Sequence, residues 1–138
     1  MIILGVIHLK GLPGSPSNKL NLEEITELAQ NDIDNHSKAG VNGIIVENFG
    51  DVPFVKNDVS KRTVASLTSV IQNLNIDSKL KLGVNVLRND GIAALSIAEA
   101  TNADFVRINV LNNVMMFTDQ GIIEGEANKI AEFNKSLN

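Results

Sequence analysis

Four short apolar segments, rich in valine and isoleucine, alternate along this chain with longer segments of helical spacing. The apolar segments are too short for helices, and β-branched side chains favour strands. They cover residues 2–9, 43–46, 80–87 and 105–111. A strand–helix unit repeated four times predicts an α/β domain of parallel strands joined by right-handed crossovers.

The segments between and after these strands carry apolar residues every three or four positions, which predicts amphipathic helices. The predicted helices cover residues 22–33, 59–74, 92–100 and 121–137. Asn21 and Glu24 form a capping-box pattern at the start of the first predicted helix, and Gly40 marks the end of that helix. We expect Asp58 to cap the second helix and Asp90 the third.

Composition and charge narrow the class of protein. The 138 residues are 43% hydrophobic and 20% charged, which fits one globular domain over residues 1–138 and excludes a disordered chain. The net charge is −4 and no basic cluster appears, so we expect no nucleic-acid partner. The chain has no cysteine, no cleavage signal and no membrane-spanning apolar stretch, so we expect a cytoplasmic protein.

Polar residues collect where the predicted strands end, which is where parallel α/β folds bind ligands. In the last strand, Arg107 and Asn109 share one face while Val106 and Ile108 share the other. The apolar faces should meet the helices, so the polar side chains should converge on one cavity. The residues expected to line it are His8, Glu47, Asn85, Arg107 and Asn109.

These residue types suit a site for a small anion. The predicted catalytic residues are Glu47, His8 and Asp119, of which Glu47 or His8 would move protons. The predicted ligand-binding residues are Lys10, Asn48, Asn85, Arg88, Asn89, Arg107 and Asn109. We expect no metal, because His8 and Glu47 make only half a site, and no cofactor, because no dinucleotide or nucleotide loop is present.

Several of these residues have a purely structural alternative. Arg107 and Glu47 could form an ion pair that only holds the fold, and both interpretations could apply. His8 could be a buried core histidine, and Asn89 with Asp90 could only cap a helix. The loop over residues 11–16 could be a simple turn.

Five stretches of this sequence resemble the BtpA family, also called the BtpA/SgcQ family. They are GVIHLKGLPGSP (5–16), GIIVENFGDVPF (43–54), GVNVLRND (83–90), ADFVRINV (103–110) and TDQGIIEG (118–125). The resemblance covers nearly the whole chain but only the N-terminal half of the family's length. It implies half of a TIM (β/α)8 barrel of the ribulose-phosphate-binding type. The family takes its name from photosystem I biogenesis in cyanobacteria, and the resemblance implies no established reaction.

Three functional hypotheses follow. The first is a site, catalytic or not, for a small anionic and phosphorylated metabolite. The second is a non-catalytic binding or assembly factor, and the third is a truncated homologue with little activity. Half a barrel leaves its first and fourth strands as bare edges, so we expect a homodimer that closes eight strands. An open sheet with helices on both faces is the alternative.

Overall fold

Parallel strands and helices alternate through most of the chain, as the sequence predicts. A computed structural model describes residues 1–112 and 115–137. The first seven elements are β1 (Leu4–His8), α1 (Leu22–Lys38), β2 (Gly43–Glu47), α2 (Lys61–Gln72), β3 (Lys81–Asn85), α3 (Gly91–Thr101) and β4 (Phe105–Arg107). The four strands are parallel and lie in sequential order. The α/β class is therefore confirmed.

The core lies between the sheet and a layer formed by α1, α2 and α3. The strand residues Ile7, Ile44 and Val84 are fully buried in one apolar cluster with residues of all three helices. Sequential strand order with right-handed crossovers places successive helices on the same face. The helices therefore cover one face, and the sheet is consistent with half of a barrel.

The opposite face of the sheet carries the alternate residues of each strand. On this face Phe105 lies beside Gly83 in register, and its ring occupies the space that a Cβ atom on Gly83 would need. Leu4 is exposed and Phe105 half-buried on the same face. This inner face is thus partly apolar and accessible.

The helix starts confirm two of the predicted caps and correct the third. Asn21 and Glu24 form both hydrogen bonds of the capping box, and the Asp90 side chain accepts from the N–H of Ala93. The prediction of Asp58 as a cap is wrong, because Ser60 caps α2. The other carboxylate oxygen of Asp90 accepts from the N–H of Val59. This bond holds the loop just before α2 against the start of α3.

The prediction of one helix over residues 121–137 is wrong in its first part. An antiparallel hairpin of β5 (Met115–Thr118) and β6 (Gly121–Glu124) precedes α4 (Ala127–Ser136). Gly121 has a φ of +90°, and its carbonyl accepts from the Thr118 hydroxyl at 3.0 Å, which closes the turn. In the described ranges 1–112 and 115–137, every helix is too short or too polar to cross a membrane.

Candidate functional site

Four polar side chains form one straight row across the carboxyl ends of the strands. The parallel register pairs His8 with Glu47, Glu47 with Asn85, and Asn85 with Arg107. Residues paired in register point to the same face of a sheet. These four residues, called the polar row below, therefore share the inner face. The prediction that they share one face is confirmed; the cavity they were expected to line and their roles toward a ligand stay predictions.

Glu47 is the centre of the row's charge. One of its carboxylate oxygens lies 2.9 Å from His8 Nε2, and the other lies 3.3 Å from Arg107 Nη1. The Glu47 side chain is only 4% exposed, whereas those of His8 and Arg107 are each 50% exposed. A buried carboxylate thus holds two groups that solvent reaches. The half-exposed position of His8 also shows that it is not a buried core histidine.

Asn85 lies between Glu47 and Arg107 in the row. Its Nδ2 donates to the Arg107 backbone carbonyl at 2.7 Å and to Asn109 Oδ1 at 3.4 Å. Asn109, which follows the short strand β4, donates to the Arg88 carbonyl at 2.8 Å. These bonds tie the ends of β3 and β4 together. In the described part of the chain, the buried Asn85 Oδ1 has no hydrogen-bond donor.

An aromatic rim runs beside the polar row. The Phe49 ring stacks on the His8 imidazole at 4.2 Å between centroids, and Phe54 meets Phe49 edge-on at 6.3 Å. The Arg88 guanidinium lies 4.7 Å from the centre of the Phe54 ring, a cation–π contact. Sequence reasoning missed both phenylalanines. The available signal for Phe49 was its position two residues after a buried strand, between Asn48 and Gly50, whereas no comparable signal marked Phe54.

Arg88 also joins the hairpin to the strand ends. Its Nη2 lies 3.6 Å from Asp119 Oδ1, and its Nε donates to Gln120 Oε1 at 3.3 Å. Asp119 and Gln120 form the hairpin tip, so the tip leans back over the end of β3. Asp119 is 70% exposed and is paired with Arg88 rather than with the polar row. Its predicted catalytic role stays a prediction.

Asn48 and Asn89 bind the backbone of neighbouring loops. Asn48 accepts from the N–H of Leu87 at 2.7 Å, and Asn89 exchanges two hydrogen bonds with the backbone of Val110 at 2.8 and 3.0 Å. Both side chains are buried, so they fix the loops that carry the site. Direct contact of either residue with a ligand stays a prediction.

Asp51 joins the loops after β1 and β2. It accepts from the N–H of Leu12 at 2.7 Å and from Asn48 at 3.1 Å. Burial raises the pKa of the Asp51 carboxyl, and these two hydrogen bonds oppose that rise. The loop over residues 11–16 is therefore anchored to the site's second loop and is more than a free turn.

The side chains of the polar row are suited to binding an anion and to transferring a proton. Arg107 can pair with an anion, and the His8–Glu47 pair can hold or transfer a proton. Lys10 follows β1 as an exposed cation near the same edge. Within residues 1–112 and 115–137, no three metal-binding side chains come together.

Comparison with known proteins shows which sequences this chain resembles. A family model described as "BtpA family" matches residues 1–138. An uncharacterized protein of Thermococcus kodakarensis is 50% identical over 135 residues, which are 98% of this chain and 51% of that protein. An uncharacterized protein of Methanocaldococcus jannaschii is 44% identical, with the same two coverages.

A named relative comes from a cyanobacterium. The "Photosystem I biogenesis protein BtpA" of Synechocystis is 42% identical over 135 residues, which are 98% of this chain and 47% of that protein. This chain therefore spans about half the length of the curated relatives it matches. No solved structure matches it at a significant level.

Proposed function

Since the chain belongs to the BtpA family, we propose that its polar row binds a small anionic, phosphorylated metabolite. The single observation that carries the proposal is the Glu47–Arg107 pair on the open face of the sheet. Glu47 is buried, whereas Arg107 is half-exposed at a strand end, so its guanidinium is accessible to an anion from solvent. Strand ends are where α/β folds bind ligands.

Cations around the row support an anionic ligand. Arg107 would contact the anion directly, and Arg88 and Lys10 extend from the neighbouring strand ends. Asn85 and Asn109 would orient the ligand. His8, held by Glu47 on one side and by Phe49 on its ring face, suits proton transfer to or from the bound molecule.

Thermal unfolding with and without inorganic phosphate tests this proposal. A ligand that binds only the folded state raises the melting temperature. We expect phosphate to stabilise the wild type and to have little effect on Arg107→Ala. That variant should itself lose about 1–3 kcal/mol of unfolding free energy, because the buried Glu47 carboxylate loses one of its partners. Glu47 keeps His8, so the loss stays below that of an isolated buried charge.

An exposed lysine provides the control. Lys38 lies in the last turn of α1, at the opposite edge of the sheet from the strand carboxyl ends, so Lys38→Ala removes the same charge far from the row. Its phosphate response should equal that of the wild type. An equal response in Arg107→Ala would remove this residue from the site.

We also propose that a second copy of the chain completes the barrel. The outer strands of the sheet are β1 and β4, and the inner face carries exposed or half-buried apolar residues such as Leu4 and Phe105. A symmetric dimer that pairs β1 of one copy with β4 of the other would join eight strands and cover this face. It would face two polar rows toward each other.

Size-exclusion chromatography with light scattering tests the dimer. The chain has a mass of 14.9 kDa, so the dimer should have twice that mass. A monomer mass at micromolar concentration would contradict the closed dimer. Leu4→Glu, which places a charge on the inner face, should shift the protein to the monomer.

The alternative function is a non-catalytic assembly factor. Two observations favour it: the name of the Synechocystis relative, and the apolar hairpin face of Met115, Phe117 and Ile122. These three side chains share one face of the hairpin and are exposed. An assembly role predicts that Phe117→Ser abolishes partner binding but leaves the response to phosphate unchanged.

A further inference from the structure

We propose that the ligand of the polar row carries a hydroxyl group beside its anionic group, and that Asn85 Oδ1 accepts a hydrogen bond from this hydroxyl. The inference rests on the proposed function, because it specifies what the same site selects among anions. It predicts preference for hydroxylated phosphate esters over plain alkyl phosphates.

The first step is that the Asn85 oxygen is correctly placed as an acceptor. The Nδ2 group donates to the Arg107 carbonyl at 2.7 Å, which fixes how the amide is oriented. Turning the amide over would set two oxygens against each other, because a backbone carbonyl cannot donate. Oδ1 is therefore the atom left without a donor among the described residues.

The second step is that the Glu47–Arg107 pair spans Asn85. Register places these residues on β2, β3 and β4 in one row. Neighbouring strands lie about 4.8 Å apart, so the arginine must reach across β3 to meet Glu47. Its side chain thus crosses the inner face above Asn85, and Asn85 is only 1% exposed. The ion pair therefore lies over the strand that carries the buried acceptor.

The third step concerns what happens when an anion draws Arg107 away from Glu47. Glu47 keeps its contact with His8, so the carboxylate retains a charged or polar partner. Asn85 Oδ1, in contrast, becomes accessible beside the bound anion. A ligand hydroxyl then supplies the missing donor, whereas an alkyl chain would bury the oxygen again without one, which is unfavourable.

A matched pair of ligands tests the inference by isothermal titration calorimetry. Glycerol 3-phosphate and propyl phosphate have the same charge and chain length, and they differ in two hydroxyl groups. We expect the wild type to bind glycerol 3-phosphate about tenfold or more tightly, as one hydrogen bond to a buried acceptor implies. Asn85→Leu, similar in size, should bind the two esters with equal affinity, so that the ratio of their affinities falls to about one.

Two further variants keep the test decisive. If Asn85→Leu fails to fold by circular dichroism, Asn85→Ser replaces it, because its short side chain no longer reaches the position of Oδ1. Exposed Asn35→Ala in α1 is the control and should keep the full preference.

The outcomes separate this inference from the proposed function. Equal wild-type affinity for the two esters would overturn the hydroxyl-acceptor inference while leaving the anion site intact. A preference that survives in both Asn85 variants would also overturn it, because the acceptor would lie elsewhere. Failure of phosphate and both esters to bind would overturn the proposed function as well.

Discussion

The N-terminal region, residues 4–101, and the C-terminal region, residues 105–112 and 115–137, differ in how well their elements are buried. Strands β1, β2 and β3 have five residues each, and side chains cap all three of their helices. Strand β4 has three residues, none fully buried. Helix α4 has no side-chain cap, and Ile130 is its buried residue.

This difference matters because the polar row uses both regions. His8, Glu47 and Asn85 come from the well-packed strands, whereas Arg107 ends the short strand β4. Elements that are less buried open at a lower free energy. The three residues on the well-packed strands should therefore stay fixed, while Arg107 can move to meet a ligand. The region that supplies Arg107 should therefore be the more mobile part of the site.

The largest expected effect contrasts a core residue with a hairpin residue. Ile44 is 0% exposed beneath the helices, so Ile44→Ala should cost about 2–5 kcal/mol of unfolding free energy. Phe117 is 77% exposed on the hairpin, so Phe117→Ala should change it by less than about 0.5 kcal/mol. Urea unfolding measures both. A large loss in Phe117→Ala would show that the hairpin face is covered in solution, as a dimer or partner would require.

The next effect concerns the connection between the two regions. Asn89 follows β3 and satisfies both the N–H and the carbonyl of Val110, which lies beyond β4. Asn89→Ala leaves these buried groups unpaired and should cost about 1–3 kcal/mol. Hydrogen exchange should accelerate over residues 105–124 more than over β1 and β2. Uniform acceleration would contradict the division into two regions.

Local sequence patterns predicted the N-terminal region better than the C-terminal region. Asn21 with Glu24, and Asp90, act on residues three positions away, so spacing alone reveals them. Ile122 and Ile123 fit a short strand as well as a helix, because two adjacent apolar residues do not distinguish the two periods. Only the pairing with residues 115–118 decides for the hairpin.

The polar row was predictable, and its surroundings were less so. Alternation along the strands indicated which side chains share a face, and the register confirms it. The contact of Asn48 with Leu87, in contrast, joins residues 39 positions apart. Asn48 appeared as a free ligand candidate because no local pattern predicts such a partner.

The helix caps give a smaller effect that sharpens the comparison. Asn21→Ala removes the capping box of α1 and should cost about 1 kcal/mol. Glu126 precedes α4 without forming a cap hydrogen bond, so Glu126→Ser should add up to about 1 kcal/mol. Thermal unfolding measures both variants. If Glu126→Ser brings no gain, the start of α4 is limited by its packing rather than by its missing cap.

The smallest effect is on the pH dependence of the unfolding free energy, to which one carboxyl in each region contributes with opposite sign. Asp104 precedes β4; a hydrogen bond from the Lys81 ammonium, and then one from the N–H of Leu82, lower the pKa of its carboxyl. A lowered folded-state pKa adds stability above the unfolded value of 3.8, which is lost as pH falls below it. Asp51 has the opposite sign, because burial raises its pKa and its ionised form costs stability as pH rises above 3.8.

Acid should therefore weaken the attachment of β4 while it favours the folded state at Asp51. We expect Asp104→Asn to reduce the loss of unfolding free energy as pH falls below 3.8, and Asp51→Asn to remove a gain as pH falls toward 3.8 from above. Added salt should reduce the Asp104 contribution, since this pair is exposed, and leave the Asp51 contribution nearly unchanged. If the unfolding free energies of the two variants depended on pH in the same way, the two carboxyls would not have opposite effects and the comparison of the regions would fail. With opposite changes, β4 and its Arg107 would be the first part of the site to loosen in acid.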